Sequence, residues 1–277
     1  MDRKRVIDES IHSGEMEGAY VSAEFREDAD EYVRGSIPIE ELVRRTKRRW
    51  EPNREGRGPM PDGLVDPYID LRTGVLRNLV GAGTWDELRN AEGEFVAMCM
   101  SEFLGELPLE PTGTLDDLRC IHRWLFRDAC DWAGEVRTIE IRKAGEGAQS
   151  FQPSANMPRG IAWARSELEK DNFLVGLASR RFPSRIAYHY DNYNFVHPFR
   201  EDNGRTQRLL WTIVCHNAGY DLDWRGVSGA ENDEASRLAA EDRDMGALVS
   251  IFSRIAAPCD PSVPINAGLV QVGHLGG

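Results

Sequence analysis

Apolar residues recur at helical spacing along most of this chain. Leu209, Leu210, Ile213 and Val214 fall on one face of a helix predicted over 205–217, stopped by Asn217-Ala-Gly219. Ile121, Leu125 and Trp132 mark the inward face of a helix over 114–131 that Gly134 ends, and Ile186, Tyr190 and Tyr193 supply core positions for one over 184–194 after Pro183. Further helices are predicted from about 7–14 onward through Gly18, and over 38–49, 84–105, 156–170 and 231–254, the last ending in Leu248, Val249, Ile251 and Phe252. One stretch breaks the pattern. Val136-Arg-Thr-Ile-Glu-Ile141 reads as a strand, Gly145-Glu-Gly147 as a turn and Gln149-Ser-Phe-Gln-Pro153 as a second extended piece. The expected fold is mostly α: a helical bundle with one short β-hairpin.

Organisation follows from changes in character. Residues 1–50 are rich in charge, with Tyr20, Phe25, Tyr32, Val33, Ile37, Ile39, Leu42 and Val43 available to pack them on a larger body. Residues 51–65 carry Pro, Gly and charge and read as a linker, 66–256 as the main domain, and 257–277 as a loose tail of small residues. At 277 residues and 41% hydrophobic content, one domain plus a small appendage fits better than two equal domains. A net charge of −12 argues against a general nucleic-acid binder. The basic run 44–49 reads as a helix face paired with nearby acids, with nucleic-acid contact as the alternative. Five cysteines without close-paired spacing read as reduced thiols with no zinc site. No signal peptide or long apolar run is evident, so a cytoplasmic protein without a membrane span is expected.

The chemistry gathers in His197-Pro-Phe-Arg-Glu-Asp-Asn-Gly-Arg-Thr-Gln-Arg208, a loop that leads into the 205–217 helix. A helix start offers free N–H groups and the positive end of the dipole, so it favours an anion. His197 is the one group here whose ordinary pKa lies near neutrality and is the candidate base. Glu201 is an oxygen ligand of the kind Mg²⁺ takes when it also holds phosphate. Asn203 and the Gly204 backbone can donate to phosphate oxygens, and Arg205 and Arg208, three apart, can reach one ligand from one side. Phe199 reads as the loop's core anchor, and His122 and His189 as packed rather than ligating.

These residues resemble the signature of the Fic family, His-Pro-Phe-x-Asp/Glu-Gly-Asn-Gly-Arg-x-x-Arg, and the likeness extends over about residues 66–256. Fic proteins commonly move AMP from ATP to a hydroxyl side chain of a target protein. The resemblance implies His197 as general base, Glu201 as the Mg²⁺ ligand, Asn203 and Gly204 as the phosphate cradle, and Arg205 and Arg208 on the outer phosphates. Glycine rather than lysine at 204 favours the AMP-transferring branch. It also implies a flap in the 136–153 hairpin, with Gln149, Ser150 and Phe151 holding the target strand-wise, and an adenine cover in 231–256. The target would present Ser, Thr or Tyr; by analogy with small Fic toxins it is a bacterial topoisomerase. Oligomeric state stays open.

Asp202 departs from the pattern, standing where the family has glycine. It either weakens ATP binding by placing charge beside a polyanion or joins Glu201 around the metal, and weakened activity is the favoured expectation. Near the N-terminus, Ser13 and Glu17 are spaced i, i+4 and can share one guanidinium, followed by Gly18. The pattern resembles the inhibitory helix of Fic proteins, whose glutamate pairs with the second motif arginine, here Arg208, and blocks the γ-phosphate. The rest of 1–50 resembles a small antitoxin fused to its toxin. Two alternatives remain: removal of AMP from modified proteins at the same site, or an inert toxin–antitoxin binding module.

Overall fold

The computed structural model describes residues 1–50, 66–106, 112–142 and 150–270. Its architecture is mostly helical, as expected. Ten helices of nine residues or more are formed among the described residues: α1 Arg3–Glu15, α2 Ala23–Val33, α3 Ile39–Arg49, α4 Trp85–Glu106, α5 Leu115–Phe126, α6 Met157–Lys170, α7 Phe182–Val196, α8 Asn203–Asn217, α9 Gly229–Arg237 and α10 Gly246–Ile255. Helix α8 is the axis of the body, with every residue from Arg205 to His216 buried. Its apolar stripe alone does not explain this. Thr212 and Cys215 on the remaining face are small, and α5 and α7 close around the helix.

The N-terminal segment packs on the long helix α4. Val6, Ile7 and Ile11 of α1 are buried, and Gly14 sits against Gly93, where a Cβ would lie 3.4 Å from the Gly93 Cα. Two glycines at the crossing let the helices approach more closely than larger residues would allow. Glu94 of α4, buried, receives Arg49 at 2.9 Å, the Trp50 indole N–H at 2.8 Å and the Ser22 hydroxyl, so one carboxylate ties the ends of α2 and α3 to the body. The basic run pairs with acids as expected. Arg44 meets Glu41, Arg45 meets Asp28, Glu31 and Glu41, Lys47 meets Asp128 and Arg49 meets Asp28.

Several expectations change. Helix α2 was not predicted; its inward positions are Phe25, Ala29 and Tyr32 in an otherwise charged stretch, capped by Ser22, whose hydroxyl accepts from Phe25 N–H. The helix expected over 114–131 stops at Phe126. The helix expected over 231–254 is broken, because a wide turn over Leu238–Asp242 and left-handed Arg243, φ 59°, separate α9 from α10. A two-residue ladder, β1 Ile69–Asp70 with β2 Val75–Leu76, was also not predicted. Of the tail expected over 257–277, the described part, to residue 270, is not loose: β3 Tyr220–Leu222 pairs antiparallel with β4 Ala256–Pro258, and Ile265 and Leu269 are buried. Of the hairpin over 136–153, the described residues show one antiparallel bridge, Arg142 to Ser150, and a bond from Phe151 N–H to the Ile141 carbonyl at 3.3 Å. The expected turn at 145–147, Gln149 and the linker over 51–65 lie outside the described residues.

Candidate active site at the start of the central helix

Helix α7 ends at Val196, and His197 turns left-handed behind it, φ 49° and ψ 64°. Pro198 and Phe199 carry the chain inward. Phe199 is fully buried and stacks on His122 at 4.0 Å between ring centroids, so it is the anchor expected of it. His122 is packed and not catalytic. Its Nδ1 accepts the Gly134 N–H at 2.8 Å, and burial pushes its pKa down to about 3, so the ring is neutral. Asp202 then takes φ 67°, the left-handed turn that glycine makes readily, and α8 begins. Asn203 closes the loop on itself: its side-chain oxygen accepts from Phe199 N–H at 2.9 Å and its amide donates to the Phe199 carbonyl at 2.9 Å. The amide expected to cradle phosphate is thus committed to the shape of the loop.

His197 Nδ1 lies 3.1 Å from the Asn194 carbonyl, which can only accept. The proton therefore sits on Nδ1, and Nε2 is the basic nitrogen of the neutral ring. Phe151 stacks on the imidazole at 3.7 Å and 12°, so of the three expected flap residues it is in direct contact with the candidate base, while Ser150 bridges Arg142. Arg137 was missed by sequence reasoning. Its buried guanidinium donates to the carbonyls of His197 at 2.9 Å, Ile139 at 2.6 Å and Gln152, and its own N–H to the Pro198 carbonyl at 2.9 Å. It stitches the flap base to the loop.

A cavity of about 840 Å³, counting its open mouth, joins these parts. His197, Glu201, Asn203 and Gly204 line it together with Glu17 from the N-terminal segment, Phe151 and Arg142 from the flap, and Asn232, Asp233 and Ser236 from α9. Glu201 is about half exposed, 3.3 Å from Arg200, which is itself tied to Asp66 at 2.9 Å. Enclosure and the neighbouring Asp202 carboxylate push the Glu201 carboxyl up to about 7.

The two motif arginines part ways. Arg208 donates through Nε to the Ser13 hydroxyl at 2.9 Å, and through Nη2 to the Ser13 carbonyl at 3.0 Å and the Glu17 carboxylate at 2.8 Å. Burial works to raise the Glu17 carboxyl, but Arg208 and Arg205 outweigh it and hold it below the usual range. A Cβ on Gly204 would stand 2.5 Å from the Glu17 carboxylate, so this glycine leaves room for an anion against the first turn of α8. Left-handed Gly18, φ 78°, follows, and Gly229 at the start of α9 fits under the Met16 carbonyl where a Cβ would be 2.2 Å away. Neither Arg208 nor Arg205 lines the cavity, and Arg205 turns to other partners. It is buried, with Glu92 at 2.9 Å and Asp202 in contact. Asp202 therefore pairs with Arg205, an arrangement that neither expectation for it had included.

Among families of known proteins, residues 3–49 match Antitoxin VbhA and residues 112–215 match the Fic/DOC family. The chain is 31% identical over 198 residues to the probable protein adenylyltransferase Fic of Escherichia coli, covering 71% of this chain and 95% of that protein. It is 34% identical over 175 residues to the protein adenylyltransferase VbhT of Bartonella schoenbuchensis, covering 63% of this chain and 36% of that protein. The crystal structure of BepC from Bartonella tribocorum shares the fold, with a TM-score of 0.64 at 21% identity over 70% of this chain and 97% of that one. An antitoxin-like segment precedes the matched domain, and the chain belongs to the Fic family.

Proposed function

We propose that this protein is a protein adenylyltransferase held in check by its own N-terminal helix. The observation that carries this reading is one cavity that joins the His197 base to the first turn of α8 at Gly204. ATP would lie with its phosphates over that turn. A Ser, Thr or Tyr hydroxyl of a target protein, held along the flap beside Phe151, gives its proton to His197 Nε2 and attacks the α-phosphorus; pyrophosphate leaves. Positioning and fixed charge supply most of the acceleration. Glu201 offers Mg²⁺ a half-exposed carboxylate on the cavity wall, within the one or two that this ion takes alongside phosphates and water, so the donor set fits, and the ion would supply neutralisation of phosphate charge.

Glu17 supports the inhibitory part, since it lies against Gly204 and pairs with Arg208. In the Glu17→Gly variant, ATP should bind about tenfold more tightly or better in calorimetry, as removal of a charge-assisted contact predicts. Adding His197→Ala to that variant should abolish transfer of labelled AMP while leaving ATP binding in place. Unchanged ATP affinity sinks the inhibitory role, and transfer without His197 sinks the base. A second reading, release of AMP from a modified protein, is favoured by the Glu17 carboxylate, which lines the same cavity as His197 and can orient water; AMP released from a modified target separates the two. ATP binding without transfer, even in Glu17→Gly, would mark an inert binding module. The same reading divides the chain into an antitoxin-like segment over 1–50, a linker over 51–65, a catalytic domain over 66–256 and a C-terminal segment from 257. A bacterial topoisomerase is the first target to test. Use of ATP and five free thiols fit a protein of the cytoplasm.

A further inference from the structure

The inhibitory turn accounts for Arg208 and leaves Arg205 to be explained. Arg205 is 2% exposed, its guanidinium carbon stands 4.9 Å from the centre of the Phe126 ring, and Nη2 donates to both Glu92, at 2.9 Å, and Asp202. Glu92 comes from α4, 3% exposed, one residue from the Gly93 that lets α1 approach. Two buried acids share one guanidinium, and burial raises both carboxyls above their usual range, so keeping both ionised carries a cost that a single-acid pair would not. The donors are also unevenly used. Arg205 Nε and Nη1 and one Asp202 oxygen make no hydrogen bond among the described residues. Asp202 lines the cavity, whereas Arg205 and Arg208, one turn apart on the helix that starts there, lie behind its wall.

We propose that Glu92 is a positioning residue for the phosphate site: together with Asp202 it draws Arg205 into the floor, so that the outer phosphates of a nucleotide gain this guanidinium only by displacing internal carboxylates. The proposal rests on the adenylyltransferase reading. It differs from the Glu17 contact, which hydrogen-bonds Arg208 from the turn after α1 and reaches Arg205 only through charge. The ligand that senses the arrangement is a nucleoside triphosphate; a monophosphate, which lacks the outer groups, does not.

The test uses the full chain carrying Glu17→Gly, with ATP·Mg²⁺ and AMP titrated by calorimetry. Glu92→Gln leaves Arg205 with Asp202, a balanced pair, and should fold. It is expected to tighten ATP about tenfold while moving AMP by less than about twofold, within the usual range of coupling between sites. Placed on Arg205→Gln, the same Glu92→Gln change should leave ATP affinity where it was. Equal gains for ATP and AMP, or a gain that survives without Arg205, would show a general loss of negative charge and overturn the proposal. If Glu92→Gln fails to fold, Asp202→Asn removes the other acid and carries the same expectations. Should no variant bind ATP while all melt cooperatively, the adenylyltransferase reading itself falls, and this inference with it.

Discussion

His122 shows how one buried side chain can set the acid limit of the site. It stacks under Phe199 and receives the Gly134 N–H on Nδ1, an arrangement open only to the neutral ring. Its pKa is depressed to about 3 in the fold, against about 6.5 in an unfolded chain. Between those values the unfolded state binds the extra proton. The stability that His122 contributes is therefore complete above about pH 6.5 and is lost progressively as pH falls towards 3. At pH 5 the loss is about 2 kcal/mol relative to pH 7. Asparagine can offer an acceptor near the same place but cannot titrate. Denaturant unfolding of His122→Asn should show a smaller drop from pH 7 to pH 5 than the parent by about that amount. Equal drops would mean that this ring does not govern the acid limb.

At the scale of elements, contiguous features were legible and long-range ones were not. The loop 197–208 could be read because its base, turn and helix start are neighbours in sequence, and the structure keeps His197, Glu201, Asn203 and Gly204 on one cavity. Ser13 and Glu17 were readable as a guanidinium clamp from their spacing, though the choice of Arg208 came from resemblance. Nothing in the pattern pointed to Glu92, which is 113 residues from Arg205, or to Arg137, which sits in a stretch that reads as a plain strand. Its hydrogen bonds go to main-chain carbonyls, and its one acidic neighbour, Glu140 at 3.7 Å, is mostly exposed, so charge pairing in the sequence gives no sign that Arg137 is buried. Arg137 joins the flap base to the loop through His197, Ile139 and Gln152. Lysine, a compact point charge, does not span three carbonyls set around a planar fork. Arg137→Lys should lower label transfer about a hundredfold, the scale of a misplaced reacting group, with ATP affinity within about threefold because Arg137 does not line the cavity. Comparable losses in both measurements would place its effect on the nucleotide and not on the flap.

Across the whole molecule, the N-terminal helix is part of the body as well as a candidate brake. Arg5 reaches Asp221 and the Leu222 carbonyl in β3, His12 reaches the Val227 carbonyl at 2.8 Å, and the Met1 amine reaches the Ile265 carbonyl. With Val6, Ile7 and Ile11 in the core, wholesale release of α1 would expose much of what holds the domain together. Tethering adds a local concentration on the order of mM, which further disfavours departure. Among the described residues the turn that ends that helix meets α9 at Gly229, where hydrogen is the only side chain that fits beneath the Met16 carbonyl. A single methyl there, as in Gly229→Ala, should push Met16 and Glu17 away from Arg208 and raise labelled AMP transfer towards the Glu17→Gly level without altering any charge. If that variant stays as quiet as the parent, the turn yields without letting go. If it wakes the enzyme, then the same α9 that brings Asn232 and Asp233 to the cavity is a mechanical trigger, and whatever seats itself against α9 can speak to the latch by shape alone.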